Sequence, residues 1–216
     1  AISVNKPIRC YKTDVFSFVN AYSCTGTPVD CVKMGLFLLK GEKPDLILSG
    51  INHGSNVSTN ILYSGTMSAA IEGALAGIPS VGYSLTDYSE DADFDYSMKV
   101  VRLISKKVIN EGLKLGTCLN VNIPKRIEGE EIKGIKVCRQ ADANWEEEFE
   151  ERTDPKGRTY YWLTGKFMNY DKGTDTDEWA LANHYDLCRG RFRILGAEAS
   201  GNLEKVGNGI AHSLCA

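Results

Sequence analysis

No stretch of this 216-residue sequence stays apolar for anything near the roughly 20 residues of a membrane-crossing helix, and no charged-then-apolar leader pattern opens it. A membrane partner is therefore not expected. Positive charge is also in short supply: 25 Lys and Arg stand against 28 Asp and Glu, for a net charge of -3 and a pI near 5.7. That balance argues against a groove for a nucleic-acid polymer. Histidine is scarce, and His53, His184 and His212 show no metal-ligand spacing, so zinc is not expected. The seven cysteines are odd in number and include no Cys-x-x-Cys pair. A disulfide framework is not expected, and they read as buried thiols of a reducing, cytoplasmic compartment. With 43% hydrophobic and 25% charged residues, the chain can bury one core and carry an appendage.

The rest of the chain is organised around residues 44–85. Leu46-Ile47-Leu48 is a short apolar run of the kind that forms a strand buried on both faces. A polar, glycine-rich turn follows, Ser49-Gly50-Ile51-Asn52-His53-Gly54-Ser55-Asn56, and then Tyr63-Ser64-Gly65-Thr66 leads into small and apolar residues from Met67 to Ile78. After Pro79 comes a second strand-like run, Ser80 to Leu85. Strand, loop, helix and strand make the unit of a parallel α/β sheet, whose ligands sit beyond the carboxyl ends of the strands. Asn52, Asn56 and Ser64 to Thr66 fall there. Free backbone amides at the helix start favour an anion, and neutral Asn oxygens can meet a hard cation without repelling a phosphate. On composition alone a plainer reading stands beside this one: the glycines and asparagines make turns, and Ser64 or Thr66 caps a helix.

The motifs resemble those of the SurE family, the stationary-phase survival nucleotidases. The family's PDL-x-x-SG-[IV]-N-x-G-x-N is matched from Pro44 to Asn56, its YSGT-x-x-A-x-EG from Tyr63 to Gly73, and its G-[IL]-PS from Gly77 to Ser80. Thr25-Gly26-Thr27-Pro28-Val29-Asp30-Cys31-Val32 is similar to its TGTP-x-DCV segment. The resemblance runs from the start to about Tyr185. It implies a three-layer, Rossmann-like α/β fold with a mostly parallel sheet and a protruding β-hairpin arm.

Taken in order, residues 1–22 read as extended structure. Thr27 is placed as an N-cap with Pro28 at the first helical position and Asp30 as a first-turn acid, and Val29, Val32, Leu36 and Leu39 form a face expected to pack on the sheet. The next helix is small-sided around Ala69, Ala70 and Gly73, with Glu72 in a structural role. Asp91, Asp93 and Asp95 lack the glycine and terminal glutamate of a calcium loop and read as a solvated turn. A helix is predicted over 96–112 and strands over 118–123 and 132–139. The aromatic alternation of 158–163 around the Asp154-Pro155-Lys156-Gly157 turn makes a hairpin, with Tyr160 and Trp162 on one face and Tyr161 and Leu163 on the other. Thr174-Asp175-Thr176-Asp177 matches the family's DTD before a short helix, 178–183. From Asp186 no strand pattern is evident, and the tail reads as divergent or frame-shifted sequence. The expected organisation is a Rossmann-like core over 1–140 that lacks its opening βα unit, an oligomerisation arm over 141–172, and a helix with an atypical tail over 173–216.

The resemblance implies a metal-dependent phosphomonoesterase acting on nucleoside 5′- and 3′-monophosphates. Asn52 is then a ligand of magnesium or manganese, favoured over zinc by an all-oxygen set, and Asn56, Ser64, Gly65 and Thr66 hold the phosphate. The arm implies a homodimer or tetramer. Family members carry their metal-binding Asp pair and a Ser in an earlier segment that this chain does not show, so no catalytic residue is assignable here and the chain by itself is expected to be inactive. Two alternatives stay open: a nucleotide-binding protein without catalysis, and a hydrolase with Ser64 as nucleophile and His53 as base.

Overall fold

The computed structural model describes residues 2–190. In chain order it comprises β1 (Cys10–Thr13), β2 (Ala21–Cys24), α1 (Pro28–Leu38), β3 (Ile47–His53), a 3-10 turn (Ser58–Leu62), α2 (Gly65–Leu75), β4 (Ser80–Leu85), α3 (Asp95–Glu111), β5 (Cys118–Ile123), β6 (Ile135–Val137), β7 (Ala143–Thr153), β8 (Thr159–Asn169), α4 (Asp177–Ala182) and β9 (Asp186–Gly190). The central sheet runs β3-β4-β5-β9-β6. β3, β4 and β5 are mutually parallel, and β9 and β6 run the other way.

Alternation along β4 and β5 sorts the layers. Val81, Tyr83, Leu85, Leu119, Val121 and Ile123 face α3, where Val100, Ile104 and Val108 complete the larger core. The opposite face carries α2, whose Met67, Ala70 and Ala74 pack with Ile61 and Cys118. The small side chains of α2 let it lie close: a Cβ on Gly82 would run into the Met67 sulfur, and one on Gly73 into Ser80 and Ile47. Two helical layers about a sheet is the architecture that the motifs imply.

Several expectations are corrected. β3 is an edge strand of this sheet, so Leu48 is 48% exposed rather than buried on both faces. Helix α1 starts as expected, with a reciprocal capping box between Thr27 and Asp30. It packs mainly on α2 rather than on the sheet, tied by the Lys33–Glu72 ion pair, and Leu39 is exposed. Residues 2–24 are extended only in part, as an antiparallel β1–β2 hairpin outside the main sheet. The 132–139 strand shrinks to the three residues of β6. Asp186 opens a true strand: β9 lies between β5 and β6 with Leu187 and Cys188 buried. Its short, mixed composition hid a strand whose pairing comes from two distant partners. Cys118, Cys138 and Cys188 are buried thiols, but Cys10 and Cys24 are half-buried and Cys31 is exposed. The rest of the expected tail, 191–216, lies outside the described residues.

The hairpin is longer than its aromatic signature suggested. β7 and β8 pair in unbroken register from Ala143↔Asn169 to Thr153↔Thr159, closed by the Asp154 turn. The register sets Tyr160 and Trp162 on one face and Tyr161 and Leu163 on the other, as the alternation predicts. Nearly all of it is exposed beyond its root.

Candidate active site

The site begins where β3 ends. Gly50 has φ of 119°, and a Cβ there would strike the Tyr83 carbonyl, so the turn off the strand needs glycine. The register against β4 slips between Ser49 and Asn52, and the chain bends out over the carboxyl ends of the parallel strands. Asn52 folds its side chain back on its own loop, donating to the carbonyls of His53 (3.0 Å) and Gly54 (3.1 Å). Both partners are acceptors, so the amide nitrogen must face them and Oδ1 is turned away, free to meet a ligand.

Across from this turn, α2 begins. Ser64 is the N-cap: its hydroxyl oxygen accepts from the Met67 amide at 3.0 Å. The Gly65 and Thr66 amides of the first turn have no intrahelical acceptor. A cavity of about 500 Å³ lies between α1, α2 and the free edge of β3, with Ser49, Gly50 and Thr66 on its walls opposite Gly26 and Pro28. Its lining carries no charged side chain, so whatever pull it has on an anion comes from the amides and the helix dipole.

Asn56 is placed differently. It is 4% exposed, and its side-chain amide donates to the Ser84 hydroxyl. Its backbone amide donates to Asn122 Oδ1 (2.6 Å), its carbonyl accepts from Asn120 Nδ2 (2.7 Å), and Asn122 Nδ2 donates to Asn120 Oδ1 (3.0 Å). The geometry makes Asn56 the anchor of the loop's far end. Asn120 and Asn122 were legible in the sequence only as the polar half of an alternating strand. Six of six β5 residues are buried, and a polar residue inside a doubly covered strand was the signal that could have pointed to them.

Asp177 was also missed. Read only as the end of the DTD segment before a short helix, it is the first residue of α4, is fully buried and accepts from the backbone amides of Ser58 (2.9 Å), Ala141 (2.8 Å) and Glu178 (3.0 Å). Ser58 stands in the left-handed region with φ of 50°. Gln140 Nε2 also donates to its carbonyl, and its hydroxyl donates to Glu178. The root of the arm joins the same segment: Trp145 donates to Asn60 at 2.9 Å, and Thr59 donates to the Ala143 carbonyl at 3.0 Å. The chain between Asn52 and Ser64 is thus fastened to β5, to α4 and to the arm.

His53 sits at the rim. Its ring pairs with the Asp87 carbonyl at 3.0 Å and meets Phe94 edge-on. The Asp87 carboxyl is pulled down to about 2 by Ser89 and by the Lys125 ammonium. Ser64 and His53 share no hydrogen bond, and the Ser64 oxygen is engaged with its own helix, so the pair lacks the nucleophile–base geometry of the alternative hydrolase. Among the described residues no group of three His, Cys, Asp or Glu side chains could hold a metal ion. None of their helices is long and apolar enough to cross a membrane.

Comparison with known proteins identifies the family. The family model described as Survival protein SurE matches residues 1–147. A 5′-nucleotidase SurE of Christiangramia forsetii is 61% identical over 187 residues, covering 86% of this chain and 72% of the relative. One from Cytophaga hutchinsonii is 54% identical over 186 residues, covering 86% and 71%. The crystal structure of a SurE protein from Aquifex aeolicus superposes with a TM-score of 0.74 at 37% identity, covering 99% of this chain and 82% of that one. Sequence, fold and the order of the loop motifs therefore agree, and the chain belongs to the SurE family.

Proposed function

We propose that this chain is a 5′-nucleotidase, a metal-dependent phosphomonoesterase whose substrates are nucleoside 5′-monophosphates and, as a finer reading, 3′-monophosphates as well. The observation that carries this is the cavity on which Ser49, Gly50 and the first turn of α2 converge, in a chain up to 61% identical to relatives named 5′-nucleotidase SurE. Thr66 and the amides of Gly65 and Thr66 take the phosphate oxygens. They are fixed by the helix before substrate arrives, so little reorganisation is needed as charge builds in the transition state. Ser64 serves by capping: it holds the first turn of α2 open toward the ligand. Asn56 keeps the loop over the strand ends.

The donors present do not fit a divalent cation by themselves. Asn52 offers one neutral oxygen, whereas magnesium and manganese are held by several oxygens with carboxylates among them. No step is therefore routed through a metal here. Asn52 Oδ1 is the atom of this chain that would join such a set, and the family's Asp-Asp segment is where the charge would come from. The 216 residues alone are expected to bind a nucleoside monophosphate weakly and to release little phosphate from it. In a protein that also carries the Asp-Asp segment, hydrolysis is expected to stop with chelator. Asn52→Ala there should raise the metal concentration needed for half-maximal rate about tenfold or more, with the melting temperature unchanged. Equal activity of this variant at limiting metal would remove Asn52 from the ligand set, and nucleotide hydrolysis untouched by chelator would remove the metal-dependent reading.

The arm is assigned to self-association. Phe149, Tyr161, Trp162 and Leu163 are each more than half exposed on a two-stranded ribbon that has no core of its own. Light scattering at micromolar concentration is expected to give a dimer or larger, and Phe149→Glu with Leu163→Glu to give a monomer. A wild-type monomer with a protease-sensitive arm would overturn this assignment.

A further inference from the structure

We propose that Cys10 and Cys24 are an oxidative modification site: a reversible disulfide that staples the base of the β1–β2 hairpin. The two residues are direct partners in the antiparallel register, and their sulfurs stand 3.0 Å apart as free thiols. The Thr25 amide donates to the Arg9 carbonyl at 3.0 Å, which makes Cys10–Cys24 the next, non-hydrogen-bonded pair. At such pairs the strands approach to a Cα separation of about 4.5 Å, within the range of about 4.4–6.8 Å that a disulfide spans. The bond therefore forms without moving backbone. Both side chains are half-buried, so a small oxidant reaches them, whereas Cys118, Cys138 and Cys188 are buried and closed off from it. The hydrogen bond with Cys24 raises the Cys10 thiol, so accessibility and pairing, not acidity, single out this pair.

The oxidant is a low-molecular-weight disulfide. The thiolate of one cysteine attacks a sulfur of glutathione disulfide, forming a mixed disulfide and releasing one glutathione thiolate. The second cysteine's thiolate then attacks its partner's sulfur and expels the other glutathione. Two protein thiols and one disulfide become one protein disulfide and two thiols, and excess reduced glutathione runs the exchange backward. The staple closes residues 10–24, whose tip exposes Phe16 and Phe18. β2 runs on through Gly26 into Pro28 on the cavity wall, so the crosslink fixes the strand that leads into the candidate site.

The test uses the full 216-residue chain with Cys31→Ser, which removes the exposed competitor among the described residues, and Cys215→Ser, which removes the cysteine outside them. Treatment with glutathione disulfide under native conditions is expected to give a loss of about 2 Da, the two thiol hydrogens, and, on non-reducing tryptic mapping, peptide 10–12 joined to peptide 13–33. Adding Cys10→Ser is expected to leave Cys24 as a stable glutathione mixed disulfide that never resolves. Chymotryptic cuts near Phe16 and Phe18 should leave the oxidised chain at full length on a non-reducing gel. The proposal is overturned if both cysteines stay as thiols, if each ends as a separate mixed disulfide, or if the native chain gives the same scatter of crosslinks as the chain in urea.

Discussion

Asp177→Ala is expected to destabilise the protein by about 3–5 kcal/mol, because three backbone amides that share one fully buried carboxylate lose their acceptor together. For a chain of this size that is a fall in melting temperature of roughly 10 °C. The cost is concentrated at Ser58. Its left-handed backbone is unfavourable for an L residue by about 1–2 kcal/mol, and it persists because Asp177, Glu178 and Gln140 hold it from three sides. Asp177→Asn keeps the shape but turns an amide NH2 toward one of the donors, so it should fall between wild type and alanine. Thermal unfolding followed by circular dichroism checks the series. An unchanged midpoint for the alanine variant would show that the loop does not depend on this carboxylate.

Asp186→Asn should act in the opposite sense, stabilising the protein at neutral pH. Asp186 is 1% exposed, one carboxyl oxygen accepts from the Tyr96 hydroxyl, and the other has no partner. Burial outweighs the Tyr96 hydrogen bond and pushes the carboxyl up to about 6. Because the folded state holds this proton where the unfolded chain has released it, the group's contribution is favourable below about pH 4. It is lost as pH rises from about 4 to about 6, a span of about two units worth at most about 3 kcal/mol. The asparagine variant cannot lose that proton. It is expected to be more stable than wild type by on the order of 1–3 kcal/mol at pH 7 to 8, with the gap closing toward pH 4. Acidic groups held low by hydrogen bonds, such as Asp30 and Asp171, push the other way in both proteins and cancel in the difference. Denaturant titrations across this range provide the check. A gap that stays constant with pH would mean that Asp186 does not titrate in the folded state.

Local sequence carried the elements whose signals are local. The Thr27–Asp30 capping box, the α2 start at Ser64, the β4 and β5 alternation and the Asp154 turn stand where their residue types place them. Each rests on hydrogen bonds or packing within a few residues. Of the candidate site, Asn52 and the helix start at Ser64 to Thr66 were legible for the same reason: a glycine-rich turn and a cap are short-range devices. Asn56 was legible as a loop residue, but its burial was not. Its partners Ser84, Asn120 and Asn122 lie 28 to 66 residues away.

The sequence by itself determined the family, the α/β class and the glycine-rich loop between β3 and α2, because motif spacing and hydrophobic period express chemistry that the backbone must satisfy on the spot. Only the tertiary structure decided that β3 is an edge and that β9 is a strand at all, since an edge is defined by neighbours and β9 by pairing with β5 and β6 on either side. It alone decided that Asp177 holds Ser58 across 119 residues of chain, and that Cys10 meets Cys24. A buried carboxylate and a surface one read alike in sequence. What separates them is which donors the folded chain brings within reach, and that is set by long-range packing rather than by any residue's own preference.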